Sequence, residues 1–226
     1  MQLQQDILDE IASRFVDAEV TNRHVQHEYA LYTNVYGINE VDPELQTLFD
    51  LAIQNRARSL SPADYRVLSD RFNAEAFLNY DTRSEAFQEL IQIDDVGPKI
   101  VDEFLRKAVH VFGINSEWEY DLHVPLDTHV VKALVKTGAI DREGEDWEAD
   151  LNKNYQRVVN VNPNTNPRKK VGYSDLQEGF EEAASQHDLP RIVFDELWVE
   201  HSRFISNPLL QSQSTLSELL LPEFRY

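Results

Sequence analysis

Several residue types that build specialised sites are scarce or missing in this chain of 226 residues. It has no cysteine, which excludes disulfides, thiolate zinc sites, cysteine nucleophiles and iron–sulfur clusters. No apolar run approaches the roughly 20 residues that span a bilayer, and the first ten residues lack the charged-then-apolar pattern of a signal peptide. We therefore expect a soluble, cytoplasmic, monomeric protein without membrane contact.

Positive charge is also scarce, because 21 Lys and Arg residues stand against 40 Asp and Glu residues, giving a formal net charge of −19. Proteins that bind nucleic acid usually carry a basic surface, so this balance favours a protein that does not bind DNA. The alternative is a halophilic protein, whose carboxylate-covered surface keeps it soluble in a salt-rich cytoplasm. At about 1 M salt the Debye length is about 3 Å, so distant carboxylates hardly repel a phosphate. We favour the halophilic explanation.

Helical periodicity is abundant. Ile7, Ile11 and Phe15 recur at the spacing of one helix face, which predicts a first helix near the amino terminus. Pairs such as Ser61-Pro62 combine a cap residue with a proline suited to the first helical position. Further helices are predicted at about 22–36, 43–58, 62–80, 84–93, 97–113, 127–138, 174–187 and 190–206.

Strand signals are nearly absent, and the segment from Val158 to Val161 is the best strand candidate. No linker or internal repeat divides the chain. We therefore predict an all-α protein in which residues 1–226 form one unit of two interleaved helical lobes.

The stretch from Ile93 to Val101 joins two of the predicted helices. Gly97 and Pro98 are expected at the start of the second helix, where the missing proline N–H costs nothing. Backbone N–H groups at a helix start bind phosphate without any side-chain charge. Taken alone, the pattern is more typical of an ordinary helix–turn–helix with a solvated Lys99.

A second element follows 28 residues after Lys99, where Asp127 stands between an apolar Val-Pro-Leu and a predicted helix. The simplest interpretation of Asp127 is an N-cap, whose carboxylate accepts hydrogen bonds from the first turn. A cap that is partly buried by the preceding apolar residues and faces a cleft is also typical of a catalytic carboxylate.

Together, the hairpin ending in Gly-Pro-Lys and the later Val-Pro-Leu-Asp-Thr-His-Val resemble the helix-hairpin-helix/Gly-Pro-Asp superfamily of DNA glycosylases. The segment from Ile192 to Phe204 resembles the closing helix of the same enzymes. The resemblance implies that residues 83–140 hold the hairpin motif and the catalytic Asp, and that residues 174–206 form the closing helices. It also implies an active-site cleft between the two lobes.

The resemblance implies a base-excision repair enzyme, a glycosylase with lyase activity that acts on double-stranded DNA containing a damaged base. Lys99 falls at the position of the lysine that attacks sugar C1′ in bifunctional members, and Asp127 at that of the catalytic carboxylate. The lysine attacks only when deprotonated, which burial and the positive helix terminus favour. We favour 8-oxoguanine as the substrate, with oxidised pyrimidines or a modified base in foreign DNA as alternatives.

The resemblance also implies contacts with the DNA and with the flipped base. The backbone amides of Asp95, Gly97 and Ile100 would hold a phosphate, and His129 matches a phosphate-contacting position, although a solvent-facing histidine is as good an explanation. Two aromatic residues are candidates for the base pocket, with core packing the stronger alternative for each: Phe194 and Trp198. A polar loop holds a basic cluster that could add phosphate contacts, or simply be solvated: Arg168, Lys169 and Lys170.

The hairpin departs from the family pattern Pro-Gly-Val-Gly, because Asp94 and Asp95 precede Val96 and Gly97. Asp95 tolerates a left-handed backbone better than most residues, but two carboxylates beside a phosphate site oppose DNA binding. Asp95 would then face solvent or hold a monovalent cation that bridges hairpin and phosphate. We expect no other cofactor and no metal site.

Two alternative functions remain. One is a non-catalytic helix-hairpin-helix module that binds DNA or protein. The other is an enzyme built on the same scaffold that acts on mononucleotides or RNA.

Overall fold

The structure is a computed structural model that describes residues 2–17, 20–39, 44–56, 61–141, 159–160 and 171–200. These residues form, in chain order, β1 (Gln2–Leu3), α1 (Gln5–Asp17), α2 (Val20–Asn34), α3 (Leu45–Arg56), α4 (Pro62–Ser69), α5 (Ala74–Phe77), α6 (Arg83–Leu90), α7 (Pro98–Leu105), a π-helix (Arg106–Val111), a first 3-10 helix (Ser116–Asp121), α8 (Thr128–Thr137), β2 (Ile140–Asp141), β3 (Val159–Asn160), β4 (Val171–Gly172), α9 (Tyr173–Ser185), a second 3-10 helix (Arg191–Asp195) and α10 (Glu196–Glu200). They are mostly helical, as the periodicity predicts. No helix within these ranges is long and apolar enough to cross a bilayer.

The chain divides into two compact units. The terminal unit combines residues Met1–Thr21 with Leu126–Tyr226, and the central unit is formed by Asn22–Pro125. Lys99 belongs to the central unit and Asp127 to the terminal unit.

In the terminal unit, α1 packs against α9. The apolar face predicted for the first helix is confirmed, because Ile11 and Phe15 have no exposed surface. The Gln5 side-chain amide donates to the Gly179 carbonyl oxygen at 2.9 Å. A Cβ at Gly179 would lie 2.6 Å from a methyl carbon of Leu3, so the missing side chain permits this close approach.

Two short sheets also belong to the terminal unit. β1 pairs antiparallel with β2, and β3 pairs parallel with β4. The strand predicted near Val158 is confirmed at Val159–Asn160. The other three strands were not predicted, because two-residue strands carry almost no periodicity.

In the central unit, α7 lies at the middle of an aromatic core. The Phe104 ring is 5.4 Å from Phe49 and 5.0 Å from both Phe72 and Phe77, measured between ring centroids. None of Phe49, Phe77 and Phe104 has exposed surface. This packing holds the helix that carries Lys99 against α3 and the turn before α5.

Several predicted helices differ from the structure in extent or type, and the helix predicted from Pro190 begins as the second 3-10 helix. The prediction of a single helix from Pro62 to about Tyr80 is wrong, because the first helix ends at Ser69. A new helix begins after Asn73, whose side chain accepts a hydrogen bond from the Ala76 N–H at 3.0 Å. The helix that starts at Pro98 continues to Val111, but as a π-helix beyond Leu105.

Candidate functional site

The connection between α6 and α7 is a tight turn. The Val96 N–H donates to the Ile93 carbonyl oxygen at 3.0 Å, and Asp95 adopts a left-handed backbone with φ of 65°. Asp95 therefore adopts the left-handed backbone that an aspartate was expected to tolerate, and Pro98 begins α7 as predicted.

Gly97 stands immediately before α7 with φ of −93°, in extended backbone that any residue adopts. A Cβ at this position would meet nothing within 4 Å. The fold therefore does not require glycine here. Its missing side chain leaves open space beside the start of the helix. Glycine commonly occupies positions where a ligand approaches the backbone closely.

Lys99 is the second residue of α7 and is half-buried. Ile100 is buried, and its N–H, predicted as a phosphate donor, donates to the Gly97 carbonyl oxygen at 2.9 Å. A phosphate would therefore have to share this hydrogen.

One of the two hairpin carboxylates is paired. The Arg71 guanidinium donates from Nη1 to Asp94 Oδ2 at 2.8 Å. Both side chains are exposed, with Asp94 at 81% and Arg71 at 44%. Arg71 therefore brings a positive charge to the acidic turn from a position 23 residues earlier in the chain.

A buried ion pair joins the two helices that flank the turn. Arg83, the first residue of α6, donates from Nη2 to Asp102 Oδ1 on α7 at 2.5 Å. The Asp102 side chain has no exposed surface, and the Arg83 guanidinium lies 4.6 Å above the centre of the Phe87 ring. Because a buried ion pair is strongly directional, it fixes the position of α7 relative to α6.

A second group of buried charges, the buried charge cluster, consists of Glu28, Tyr32, Glu103, Arg106 and Lys107. Arg106 binds the Glu28 carboxylate through both terminal nitrogens, each at 2.7 Å, and the Tyr32 hydroxyl donates to it at 2.5 Å. Lys107 Nζ donates to both Glu28 and Glu103. Among the described contacts, two carboxylates face two cations, and the cluster links α2 to the junction of α7 and the π-helix.

The electrostatics of this cluster support a structural role. Burial alone would raise the pKa of Glu28, but Arg106 and Lys107 outweigh it and hold that pKa well below its usual range. Burial and the neighbouring Glu28 carboxylate raise the pKa of the Tyr32 hydroxyl, which stays protonated as a donor. Lys107 has no exposed surface, so its amine is closed to substrate.

Sequence reasoning missed this cluster, although a signal was present. Asp102, Glu103, Arg106 and Lys107 interrupt an otherwise apolar stretch, and charges on an apolar helix face are buried only when they are paired. What the local pattern lacks is the identity of Glu28, which is 78 residues from Arg106.

Asp127 caps α8, so the cap interpretation is confirmed. Its Oδ1 accepts hydrogen bonds from the backbone N–H of His129 at 2.7 Å and of Val130 at 3.0 Å. Asp127 is only 8% exposed, and the preceding Val124 and Leu126 are buried, as the apolar Val-Pro-Leu predicts. The carboxylate is therefore fixed in direction and largely shielded from water.

Two other predicted residues lie near this cap. The rings of His129 and Trp198 meet edge to face, with centroids 6.1 Å apart and planes at 86°, where α10 packs against α8. Trp198 is half-buried. Phe194 has no exposed surface and stacks on Phe180 at 4.6 Å, so in this structure its ring packs in the core of the terminal unit.

The predicted residues thus form two sets, one in each unit. Asp95, Gly97, Lys99 and Ile100 lie on the turn and first turn of α7, whereas Asp127, His129 and Trp198 lie around the start of α8. The basic cluster Arg168, Lys169 and Lys170 lies outside the described residues. Within the ranges that the structure describes, no group of three or more His, Asp and Glu side chains could hold a metal ion.

No protein-family model, curated protein or solved structure matches this chain.

Proposed function

We propose that this protein is a DNA glycosylase with lyase activity, in which Lys99 is the nucleophile and Asp127 the assisting carboxylate. The observation that carries the proposal is the combination at the start of α7. A glycine that the fold does not require leaves open backbone at a helix N-terminus, and the half-buried Lys99 follows two residues later. An open helix start suits a phosphate, and an amine beside it suits attack on the attached sugar.

The reaction begins with a damaged base flipped out of the duplex. The deprotonated Lys99 Nζ forms a bond to C1′ of the deoxyribose while the bond from C1′ to the base breaks. The base leaves with the bonding electron pair and takes up a proton. The amine, now bonded to C1′, loses one proton, and its lone pair then opens the sugar ring by expelling O4′, which takes up a proton, to give a protonated Schiff base. Removal of a C2′ proton then forms a C2′–C3′ double bond, and the 3′ phosphate leaves with the C3′–O electron pair.

Asp127 would stabilise the positive charge that develops on the sugar as the base departs. Its low exposure and two backbone hydrogen bonds support this role, because they keep a charged carboxylate oriented before the reaction begins. Trp198 is the proposed aromatic contact of the flipped base, and 8-oxoguanine remains the favoured substrate.

Borohydride trapping on a duplex with an abasic site tests the nucleophile. We expect the wild type to form a covalent adduct, Lys99→Gln to form none, and Lys132→Gln, a matched loss of one amine, to trap like the wild type. The assay is run from about 0.1 M to about 1 M KCl to cover both screening regimes. A wild type without adduct throughout this range would falsify the lyase assignment. An adduct retained by Lys99→Gln would show that another residue is the nucleophile.

Base release from a duplex with one 8-oxoguanine tests Asp127. Asn and Ser cap helices about as well as Asp, so Asp127→Asn and Asp127→Ser should keep the melting temperature. Both should lose about 10²–10³-fold in the rate of base release if the carboxylate stabilises the transition state. Unchanged release by both variants would leave Asp127 as a cap alone.

The second candidate function is a non-catalytic hairpin module that binds DNA or protein. It is favoured by the exposed side chain of Asp95 beside the phosphate position and by the net charge of −19. Duplex binding by the wild type without trapping or base release would support this candidate.

A further inference from the structure

We propose that Arg71 is a phosphate-binding residue of the hairpin and that Asp94 is its anchor, so that the acidic turn recruits its own cation for the DNA backbone. This inference rests on the proposed function, because it concerns the same DNA-binding surface. It assigns a role in DNA binding to Arg71, which is far from the hairpin in sequence. It also gives Asp94 a function that favours DNA binding, although its carboxylate alone would repel phosphate.

The backbone places Arg71 firmly. It follows Asp70, which ends α4, and its N–H donates to the Leu68 carbonyl oxygen at 3.2 Å. From there the guanidinium reaches Asp94 at 2.8 Å. A guanidinium carries five N–H donors in a planar fork, so a bond from Nη1 leaves donors for a second anion.

The position suits a phosphate next to the one expected at the start of α7. Asp94 precedes Gly97 by three residues, a span of at most about 11 Å. Phosphates of one DNA strand follow each other about every 3.4 Å along the helix axis. A backbone phosphate bound at α7 therefore brings its neighbours within range of Arg71.

The energetics separate this pair from those that hold the fold. Exposed ion pairs contribute little to stability, whereas the Arg83–Asp102 pair is buried. What the exposed pair changes is the local charge, because the guanidinium offsets the Asp94 carboxylate. Replacing Arg71 should therefore alter DNA binding without unfolding the protein.

The first test measures the affinity for a duplex with an uncleavable abasic-site analogue from about 0.1 M to about 1 M KCl. Each phosphate contact contributes about −0.9 to the slope of log affinity against log salt. We expect Arg71→Gln to reduce the magnitude of the slope by about 1 and to weaken binding up to about tenfold at the lowest salt. Arg66→Gln, an exposed matched control on α4, should leave the slope unchanged. Equal slopes for Arg71→Gln and the wild type would overturn the inference.

The second test asks whether Asp94 anchors Arg71 or merely repels DNA. If Asp94 is an anchor, Asp94→Asn gives no gain in affinity when Arg71 is present, but a gain in the Arg71→Gln background, where the carboxylate is unpaired. Equal gains in both backgrounds would mean simple repulsion and would overturn the anchor.

Failure of the inference is distinguishable from failure of the proposed function. Trapping by Arg66→Gln at saturating protein should match the wild type, because Lys99 and the proposed phosphate contacts are intact. A wild type that traps DNA while Arg71→Gln keeps its salt slope overturns only the role of Arg71. A wild type that neither binds nor traps DNA overturns both.

Discussion

The two helices that begin at predicted site residues, α7 and α8, are held in place by different forces. α7 starts without a side-chain cap, and buried ions add to its aromatic packing: the Arg83–Asp102 pair and the buried charge cluster at its far end. α8 starts at the Asp127 cap and buries an apolar face. Apolar packing tolerates small shifts, whereas paired ions demand defined geometry. The proposed nucleophile therefore lies on the helix whose position is the more narrowly specified.

The largest expected effect comes from removing one buried charge of the cluster at the end of α7. Lys107→Met should lower the free energy of unfolding by about 3–5 kcal/mol, because it removes a buried cation that the buried Glu28 and Glu103 carboxylates both contact. Urea unfolding measures the loss. Lys107→Met combined with Glu103→Leu should recover part of it, since removing both charges restores the balance. A loss below about 1 kcal/mol for the single variant would show that water reaches the cluster.

Two glycines, Gly97 before α7 and Gly138 after α8, test the contrast between the helix termini. Gly138 ends α8 with φ of 87°, so Gly138→Ala should cost about 1–2 kcal/mol. Gly97→Ala, in extended backbone with open space around it, should leave stability unchanged or raise it by about 0.4–1 kcal/mol. Thermal unfolding of both variants checks the difference. If Gly97 serves the phosphate, Gly97→Ala should nevertheless weaken duplex binding, and a strongly destabilised Gly97→Ala would instead assign the glycine to the fold.

The smallest expected effect concerns pH. Glu119 on the first 3-10 helix contacts His110 Nδ1 on the π-helix at 2.8 Å, and this hydrogen bond lowers the pKa of Glu119 from its usual 4.5 against the opposing effect of burial. A lowered pKa adds stability that is present above pH 4.5 and is lost as the pH falls through the folded-state pKa. Because Glu119 is partly exposed, the contribution should stay within about 0.2–1 kcal/mol.

Urea unfolding of the wild type and Glu119→Gln at about pH 7 and about pH 3 measures this contribution. The wild type should be more stable than the variant at the higher pH, and the gap should close at the lower. A gap that widens on acidification would contradict the sign.

The sequence predicted what local rules control. Ser61 and Asp127 cap helices, Pro62 and Pro98 occupy first helical positions, and Gly138 ends a helix, because each depends on bonds within one turn. The helix break before Asn73 was missed, since an apolar periodicity runs across it and the cap competes with that pattern.

Features that join distant parts of the chain were beyond sequence reasoning. β1 pairs with β2 across more than half of the chain, and Arg71 reaches Asp94 from another helix. The identity of the catalytic candidates came from motif order, whereas the pairing of Asp102 with Arg83 and of Arg106 with Glu28 follows from tertiary packing. Local patterns therefore supply the proposed reactive residues but not the contacts that position their helices.

The π-helix after Leu105 has a consequence for how this helix tolerates insertions and deletions. Compared with an α-helix, a π-helix takes in extra residues, and each one turns every later side chain by about 100°. Removing one residue between Arg106 and His110 would favour regular winding, yet it would turn His110 by about 100° relative to the preceding residues, away from its contact with Glu119. The number of residues in the π-helix therefore determines which of the following side chains face the core. A single-codon deletion should therefore be more disruptive here than most substitutions.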